Sequence, residues 1–172
     1  SAGRQVDLGR LAKTLGIRMC ALLGALRQPA GVSILCYHAI DDSGSYLSTS
    51  PHIFEAEISE LARRNCHGVS MTQLMTLVQS GAPIPQGTVG LTFDDGLRSF
   101  KDAAWPVLKR VGFSGTLFVP VDFVGGQATW LANHDLPPLP VLSWAELRQL
   151  CDEGLDVQSH GCSHRKLTAL SE

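Results

Sequence analysis

The chain has 172 residues, which suits one domain with a substantial hydrophobic core. Hydrophobic residues make up 44% of it and charged residues 17%, a balance typical of globular proteins and unlike that of disordered chains. The formal net charge of −2 argues against a nucleic-acid partner, because binding to a phosphate backbone needs a basic surface.

The chain has five cysteines, which are widely spaced and include no Cys-x-x-Cys pair. An odd, scattered set predicts neither a disulfide framework nor a zinc ribbon. We therefore expect buried, reduced thiols at all five positions, which favours a reducing compartment. The residues are Cys20, Cys36, Cys66, Cys151 and Cys162. No secretory signal is visible, and no run of 18 apolar residues predicts a membrane span.

Residues 8–27 are predicted to form a helix, because leucine and methionine recur there every three or four positions. Four basic residues add positive charge to this segment. We predict a separate N-terminal helix over 1–28 and the main domain over 29–172. Two interpretations of the helix stay open: it packs on its own domain, or it makes peripheral contact with a membrane surface.

Strands and helices are predicted to alternate beyond Pro29. Apolar, β-branched runs indicate the strands, and capping residues and apolar stripes indicate the helices. The predicted strands are 32–37, which we expect to be buried, 88–93, 115–120 and 155–159. The predicted helices begin at Pro51, after Ser70, at about Arg98 and after Ser143, and the loops are 41–51 and 121–142. This alternation predicts a parallel sheet, either open or closed as a barrel.

Polar side chains follow three of the four predicted strands. His38 follows the first, Asp94 and Asp95 follow the second, and His160 follows the last, with His164 four residues on. Because the carboxyl ends of parallel strands meet at one rim, we expect these groups to converge. Adjacent carboxylates repel and are costly to bury without a positive partner.

That partner is predicted to be a divalent metal. Asp95, His160 and His164 would bind it, with the two histidines on one face of a helical turn, while Asp94 keeps a lone pair for a proton. Two histidines and one carboxylate form a three-ligand site that suits catalytic zinc and also iron or cobalt.

Three short motifs resemble those of the polysaccharide deacetylase family (NodB homology, carbohydrate esterase family 4). Thr92-Phe93-Asp94-Asp95-Gly96 resembles the first signature motif. The segment 160–164 resembles the second, His-Ser/Thr-x-x-His, although Gly161 stands at the Ser/Thr position. Cys36-Tyr37-His38 resembles the strand end of a branch that includes poly-N-acetylglucosamine deacetylases. The resemblance covers residues 32–170.

This resemblance implies a fold, an activity and a set of roles. The fold would be a distorted or incomplete (β/α) barrel, and the activity a metal-dependent removal of acetyl groups from N-acetylglucosamine-containing polysaccharides. Asp94 would be the general base and His38 the general acid, with Asp95, His160 and His164 holding zinc, or else cobalt, nickel or iron. The later family motifs do not occur before Glu172, so we expect a domain truncated at its C-terminus.

Three other interpretations stay open. The first is that the chain is a non-catalytic carbohydrate- or metal-binding fragment of such a domain. The second is a membrane-surface protein built on its basic first helix. A glycosidase with paired carboxylates is a third, but adjacent residues fit its acid separation poorly.

Overall fold

A parallel β-sheet with helices packed against it makes up most of the computed structural model, which describes residues 31–134, 136–166 and 168. The predicted helix at 8–27 lies outside these residues. Its structure, its contact with membranes and the division of the chain after residue 28 stay predictions. Within the described residues, no helix is both long enough and apolar enough to cross a bilayer.

The chain alternates between strands and helices, as predicted. The strands are β1 (Ser33–Tyr37), β2 (Ala39–Ile40), β3 (Ser48–Thr49), β4 (His67–Val69), β5 (Thr88–Phe93), β6 (Thr116–Val119) and β7 (Asp156–Ser159). The α-helices are α1 (Pro51–Arg63), α2 (Met71–Gln79), α3 (Trp105–Val111) and α4 (Trp144–Asp152). A π-helical turn spans Phe100–Ala104, and 3₁₀ turns span Val121–Phe123 and Thr129–His134.

Strand β5 is the centre of the sheet, and all six of its residues are buried. It pairs in parallel with β1, β4 and β6, and β6 pairs in parallel with β7. In this register Tyr37 lies beside Phe93, and Val119 beside Ser159. The residues that follow these strands therefore emerge at the same rim, which is where sheets of this kind carry their chemistry.

An aromatic cluster joins β1 and β5 to the helices. The rings of Tyr37 and Phe54 meet edge to face with centroids 5.1 Å apart, and those of Phe93 and Phe100 do so at 4.7 Å. Edge-to-face pairs at such distances are favourable beyond their buried area, by about 0.5–1.5 kcal/mol each. The cluster fixes the strand ends relative to the helices and so supports the rim.

Strand β1 corrects one prediction. We expected a buried strand, but Ile34 is 50% exposed and Cys36 is also exposed. Among the described strands, β1 pairs only with β5 and therefore lies at an edge of the sheet. An edge strand is covered on fewer sides than a central one, which accounts for the exposure.

The helix predicted at 98–110 does not begin as an α-helix. It opens with the π-helical turn, in which the amide of Trp105 donates to the carbonyl of Phe100. Pro106 follows at once, and a proline ring in an α-helix clashes with the carbonyl four residues earlier. The wider turn relieves that clash before α3 begins.

The prediction of buried cysteines is wrong for Cys36, Cys151 and Cys162, which are exposed, and Cys66 is only partly buried. All four are free thiols, as predicted, and Cys20 lies outside the described residues. Their positions explain the exposure: one lies on the edge strand, one on the solvent side of α4 and one in the turn after β7.

The predicted loop at 121–142 is folded rather than open. Its 3₁₀ turns carry apolar residues into a second small core with residues that follow β1 and β5. Leu97 and Val141 form an antiparallel bridge within it. The buried members are Ala39, Leu97, Ala128, Leu131 and Val141. This segment forms a wall beside the rim that carries the polar residues.

Candidate metal centre and acid–base pair

The turn after β5 sends its two carboxylates in different directions. Asp95 has a φ of +74° and Gly96 a φ of +60°, a left-handed turn that non-glycine residues rarely adopt. A Cβ at Gly96 would lie 2.9 Å from Cγ1 of Val119, so only glycine fits there. As a result Asp95 is 2% exposed, whereas Asp94 stays partly open to solvent. Strain of this kind collects at functional sites.

The two histidines after β7 are brought together by a turn, and not by the helical turn we predicted. The amide of His160 donates to the carbonyl of Val119 at 2.9 Å, which continues the strand pairing by one residue. Gly161 then takes a φ of +76° and His164 a φ of +51°, and left-handed residues interrupt a helix. The turn nevertheless places the two imidazole centroids 5.1 Å apart.

Asp95, His160 and His164 meet at one point. Oδ1 of Asp95 lies 3.6 Å from Nε2 of His160 and 2.9 Å from Nε2 of His164. One ligand atom from each residue lies within 4.8 Å of the others, and no other such group of three was found among the described residues. The predicted convergence of these three side chains is therefore present.

The donor set fits a divalent metal. Oδ1 of Asp95 is buried and receives no hydrogen bond from any described residue, although two imidazole nitrogens lie close to it. A buried carboxylate oxygen without a donor is unfavourable unless a positive charge compensates it. Ligand atoms of a tetrahedral zinc site with bonds of about 2.1 Å lie about 3.4 Å apart, which the two measured separations bracket.

Asp94 has separate partners from Asp95. Its Oδ2 lies 3.9 Å from Nε2 of His38, and its backbone amide donates to the carbonyl of Tyr37 at 2.9 Å. The parallel register of β1 and β5 accounts for this, because His38 and Asp94 each follow directly on a paired residue. The site thus contains a buried carboxylate beside two histidines and a partly exposed carboxylate beside a third.

Cys36 is a neighbour of Asp94 that we did not assign to the site. Its Sγ donates to Oδ2 of Asp94 at 3.5 Å. Although Cys36 is exposed as a residue, partial desolvation of its sulfur raises the pKa of the thiol; the hydrogen bond with Thr92 opposes this rise, and the charges of Asp94 and Asp95 add to it. The thiol is therefore held in its protonated, hydrogen-bond-donating form.

Two aromatic rings flank the histidines and were also not predicted. Trp130 stacks on His164 with centroids 4.4 Å apart and planes 21° from parallel. Phe118 lies against His160 at 6.3 Å with a tilt of 46°. The sequence signals were weak: Trp130 lies in the long segment at 121–142, and Phe118 lies near the end of a predicted strand.

Comparison with known proteins identifies the class. The sequence profile of the family described as polysaccharide deacetylase matches residues 81–172, more than half of the chain. The chain belongs to the polysaccharide deacetylase family. This confirms the resemblance to the family, and the matched residues include the motifs at 92–96 and 160–164 but not Cys36-Tyr37-His38.

Related sequences align over different lengths. The chain is 26% identical over 144 residues to YxkH of Bacillus subtilis (strain 168), which is 84% of this chain and 47% of YxkH. It is 27% identical over 82 residues to the poly-beta-1,6-N-acetyl-D-glucosamine N-deacetylase of Escherichia coli (strain K12), which is 46% of this chain and 12% of that protein. The chain therefore spans less than half the length of these curated relatives.

Solved structures support the fold. IcaB from Ammonifex degensii aligns with a TM-score of 0.65 and 26% identity, over 76% of this chain and 52% of IcaB. The deacetylase PplD of Streptococcus pyogenes aligns with a TM-score of 0.67 and 21% identity, over 84% of this chain and 62% of PplD. The predicted NodB-like α/β fold is confirmed, with a sheet that stays open within the described residues.

Proposed function

We propose that this chain is part of a metal-dependent deacetylase that hydrolyses the acetamide of N-acetylated sugars in a polysaccharide. One observation carries the proposal: the buried Oδ1 of Asp95 lies beside His160 and His164 without a hydrogen-bond donor, while Asp94 faces His38. The first group has the chemistry of a cation site and the second that of an acid–base pair.

Asp95, His160 and His164 would hold the metal, with zinc expected first and cobalt, nickel or iron as alternatives. A divalent metal held by these residues would supply Lewis acidity for the hydrolysis of an amide. Three protein ligands leave coordination positions open, which is the form that catalytic sites take and that structural sites avoid.

Asp94 would act as the general base. Its carboxylate is partly exposed to solvent. Asp94 is also not a member of the group that could hold a metal, which contains Asp95 instead. It accepts the proton of the water whose oxygen bonds to the acetamide carbon. The thiol of Cys36 donates a hydrogen bond to this carboxylate, and the backbone amide of Asp94 donates one to the carbonyl of Tyr37; together they hold the residue in place.

His38 would act as the general acid. When the bond between the acetamide carbon and the sugar nitrogen breaks, that nitrogen takes up a proton from the imidazolium, and acetate and a free amine are released. The distance of 3.9 Å from Nε2 of His38 to Oδ2 of Asp94 places a proton donor and a proton acceptor side by side in one site.

The substrate class is inferred from the family and from its relatives. The Escherichia coli relative is named for poly-beta-1,6-N-acetyl-D-glucosamine, and we extend that class, a polysaccharide that contains N-acetylglucosamine, to this chain. The partial coverage of the relatives makes the activity of the whole protein part of the proposal as well.

The main alternative is a non-catalytic carbohydrate- or metal-binding fragment. Acetate release from an N-acetylglucosamine oligomer, measured with added zinc and again with a chelator, separates the two. We expect release that the chelator abolishes and zinc restores. Binding of the oligomer without acetate release would favour the fragment, and release that resists chelation would contradict the metal-dependent mechanism.

A further inference from the structure

We infer that Trp130 is a positioning residue that holds the imidazole of His164 in its metal-binding orientation by stacking on it. The inference rests on the proposed metal site and concerns a residue outside the three family motifs. The two histidines differ in how they are held: the position of His160 is fixed by backbone hydrogen bonding, and that of His164 is not.

His160 is fixed by strand pairing. It directly follows β7, and its amide donates to the carbonyl of Val119 at 2.9 Å, so its Cα lies at a determined point on the rim. The ring of Phe118 is 6.3 Å away and tilted by 46°, too loose to set the orientation of the imidazole. The backbone alone accounts for the position of this side chain.

His164 has no comparable backbone support. The hydrogen bonds that join its segment to neighbouring elements run from Val121 and Asp122 to the carbonyls of Gly161 and Cys162, and among the described residues they reach no further along the segment. His164 itself adopts a φ of +51°, which is strained for a residue with a Cβ. Something beyond the backbone must hold its ring in place.

Trp130 meets that need. The indole and imidazole planes are 21° from parallel with centroids 4.4 Å apart, a close stack that prevents the imidazole from rotating out of its plane. With the plane held, Nε2 of His164 stays close to Asp95, 2.9 Å from Oδ1. Groups that orient a ligand commonly change metal affinity about 10- to 100-fold when removed.

The indole of Trp130 is itself held by a second aromatic ring, that of Phe123. Phe123 meets Trp130 edge to face at 4.5 Å and 71°, and Phe123 belongs to the 3₁₀ turn whose amides bond to Gly161 and Cys162. The contacts therefore form a closed ring, from the histidine segment to the 3₁₀ turn, to Phe123, to Trp130 and back to His164. Trp130 is only partly buried, so it lies at the margin of the second core and not at its centre.

The test is zinc binding to the full 172-residue chain, measured by titration calorimetry. We expect Trp130→Leu and Trp130→Met, which remove the ring, to weaken zinc binding about three- to ten-fold, somewhat less than the loss of a hydrogen-bonding outer partner. Trp130→Phe keeps an aromatic ring and should restore most of the affinity. Trp144→Leu is the matched control, because Trp144 is 62% exposed at the start of α4, and it should bind zinc as the unmodified chain does.

The outcomes separate this inference from the proposed function. If the unmodified chain binds no zinc, or if His164→Ala binds it undiminished, the metal site itself is wrong. If His164→Ala abolishes binding while both ring-free variants bind as the unmodified chain does, the metal site stands and the role of Trp130 is wrong. If circular dichroism shows both ring-free variants unfolded, Trp130 belongs to the fold and the inference is overturned.

Discussion

Nε2 of His164 lies 2.9 Å from Oδ1 of Asp95, yet this buried oxygen receives no hydrogen bond among the described residues. A nitrogen this close would ordinarily be a donor. Without such a donor, a buried carboxylate oxygen needs a positive charge beside it, and the point between Asp95 and the two imidazoles suits a cation. The central claim is that this point binds a divalent metal.

Replacing Asp95 by Asn tests the compensation directly. Asn tolerates the left-handed backbone at this position, where φ is +74°, and keeps the shape of the side chain while removing its charge. Without metal we expect Asp95→Asn to unfold at the same temperature as the unmodified chain or a higher one, because a buried, unpartnered charge is gone.

Zinc should raise the melting temperature of the unmodified chain but not that of Asp95→Asn. Metal that binds only the folded state stabilises it by about 2.7 kcal/mol at 100 times its Kd, so the unmodified chain should melt at a higher temperature with zinc than with chelator. Asp95→Asn should show no such rise. Thermal unfolding with zinc and with chelator measures this difference. If zinc raises the melting temperature of both proteins equally, Asp95 is not a ligand.

Asp94 and His160 have different roles, and their variants should differ accordingly. Asp94→Asn should keep zinc and lose turnover by about 10²- to 10⁴-fold, the usual contribution of a general base. His160→Ala should lose both. Zinc content, measured by atomic absorption, and acetate release, measured on the same samples, check this contrast. Loss of zinc from Asp94→Asn would mean that the assigned roles are wrong.

The strand ends were predictable because they depend on local patterns. Apolar runs that stop at His38, at Asp94 and at His160 carry their own signal, and the parallel arrangement follows from the alternation with helices. Strands β2, β3 and β4 were missed because two or three residues are too short to show a period.

The details of the site depend on contacts that are distant in sequence. The turn that replaces the predicted helix after His160 depends on left-handed residues, and only Gly161 hints at it. The stack of Trp130 on His164 joins two loops that no local pattern connects. Sequence therefore indicated which side chains meet, and the structure was needed to see how each is oriented.

His38 can be tested as an acid by changing the leaving group. An amide needs a proton on the departing amine, whereas 4-nitrophenyl acetate releases a stable anion without one. His38→Gln should therefore lose acetamide hydrolysis by about 10²-fold or more and keep most of its ester hydrolysis.

The control for that experiment is His52→Gln. His52 lies exposed near the start of α1, where its Nδ1 contacts Oγ of Ser50 at 3.0 Å, and it is not among the residues assigned to the site. Neither reaction should change. Equal losses of amide and ester hydrolysis in His38→Gln would assign His38 a role other than proton donation.

Gly96 should be far less tolerant than Gly112 of replacement by alanine. Both are left-handed, with φ of +60° and +74°, so each replacement costs about 1–2 kcal/mol of backbone energy. Only at Gly96 does the new Cβ meet a neighbour, at 2.9 Å from Val119, whereas nothing lies within 4 Å at Gly112. Overpacking adds about 1–3 kcal/mol at Gly96.

Urea unfolding of both variants measures the difference, and zinc titration measures its effect on the adjacent Asp95. Gly96→Ala should be the less stable of the two and should bind zinc more weakly, while Gly112→Ala keeps its zinc affinity. Equal stability and equal affinity would mean that the tight turn does not position the carboxylate.

The most direct measurement is an anomalous difference map from a crystal of this chain soaked in zinc, recorded on both sides of the zinc absorption edge. We predict one strong peak about 2.0–2.2 Å from an oxygen of Asp95 and from one nitrogen each of His160 and His164. A map without a peak among these three side chains, or with the imidazoles turned away from Asp95, would contradict the account.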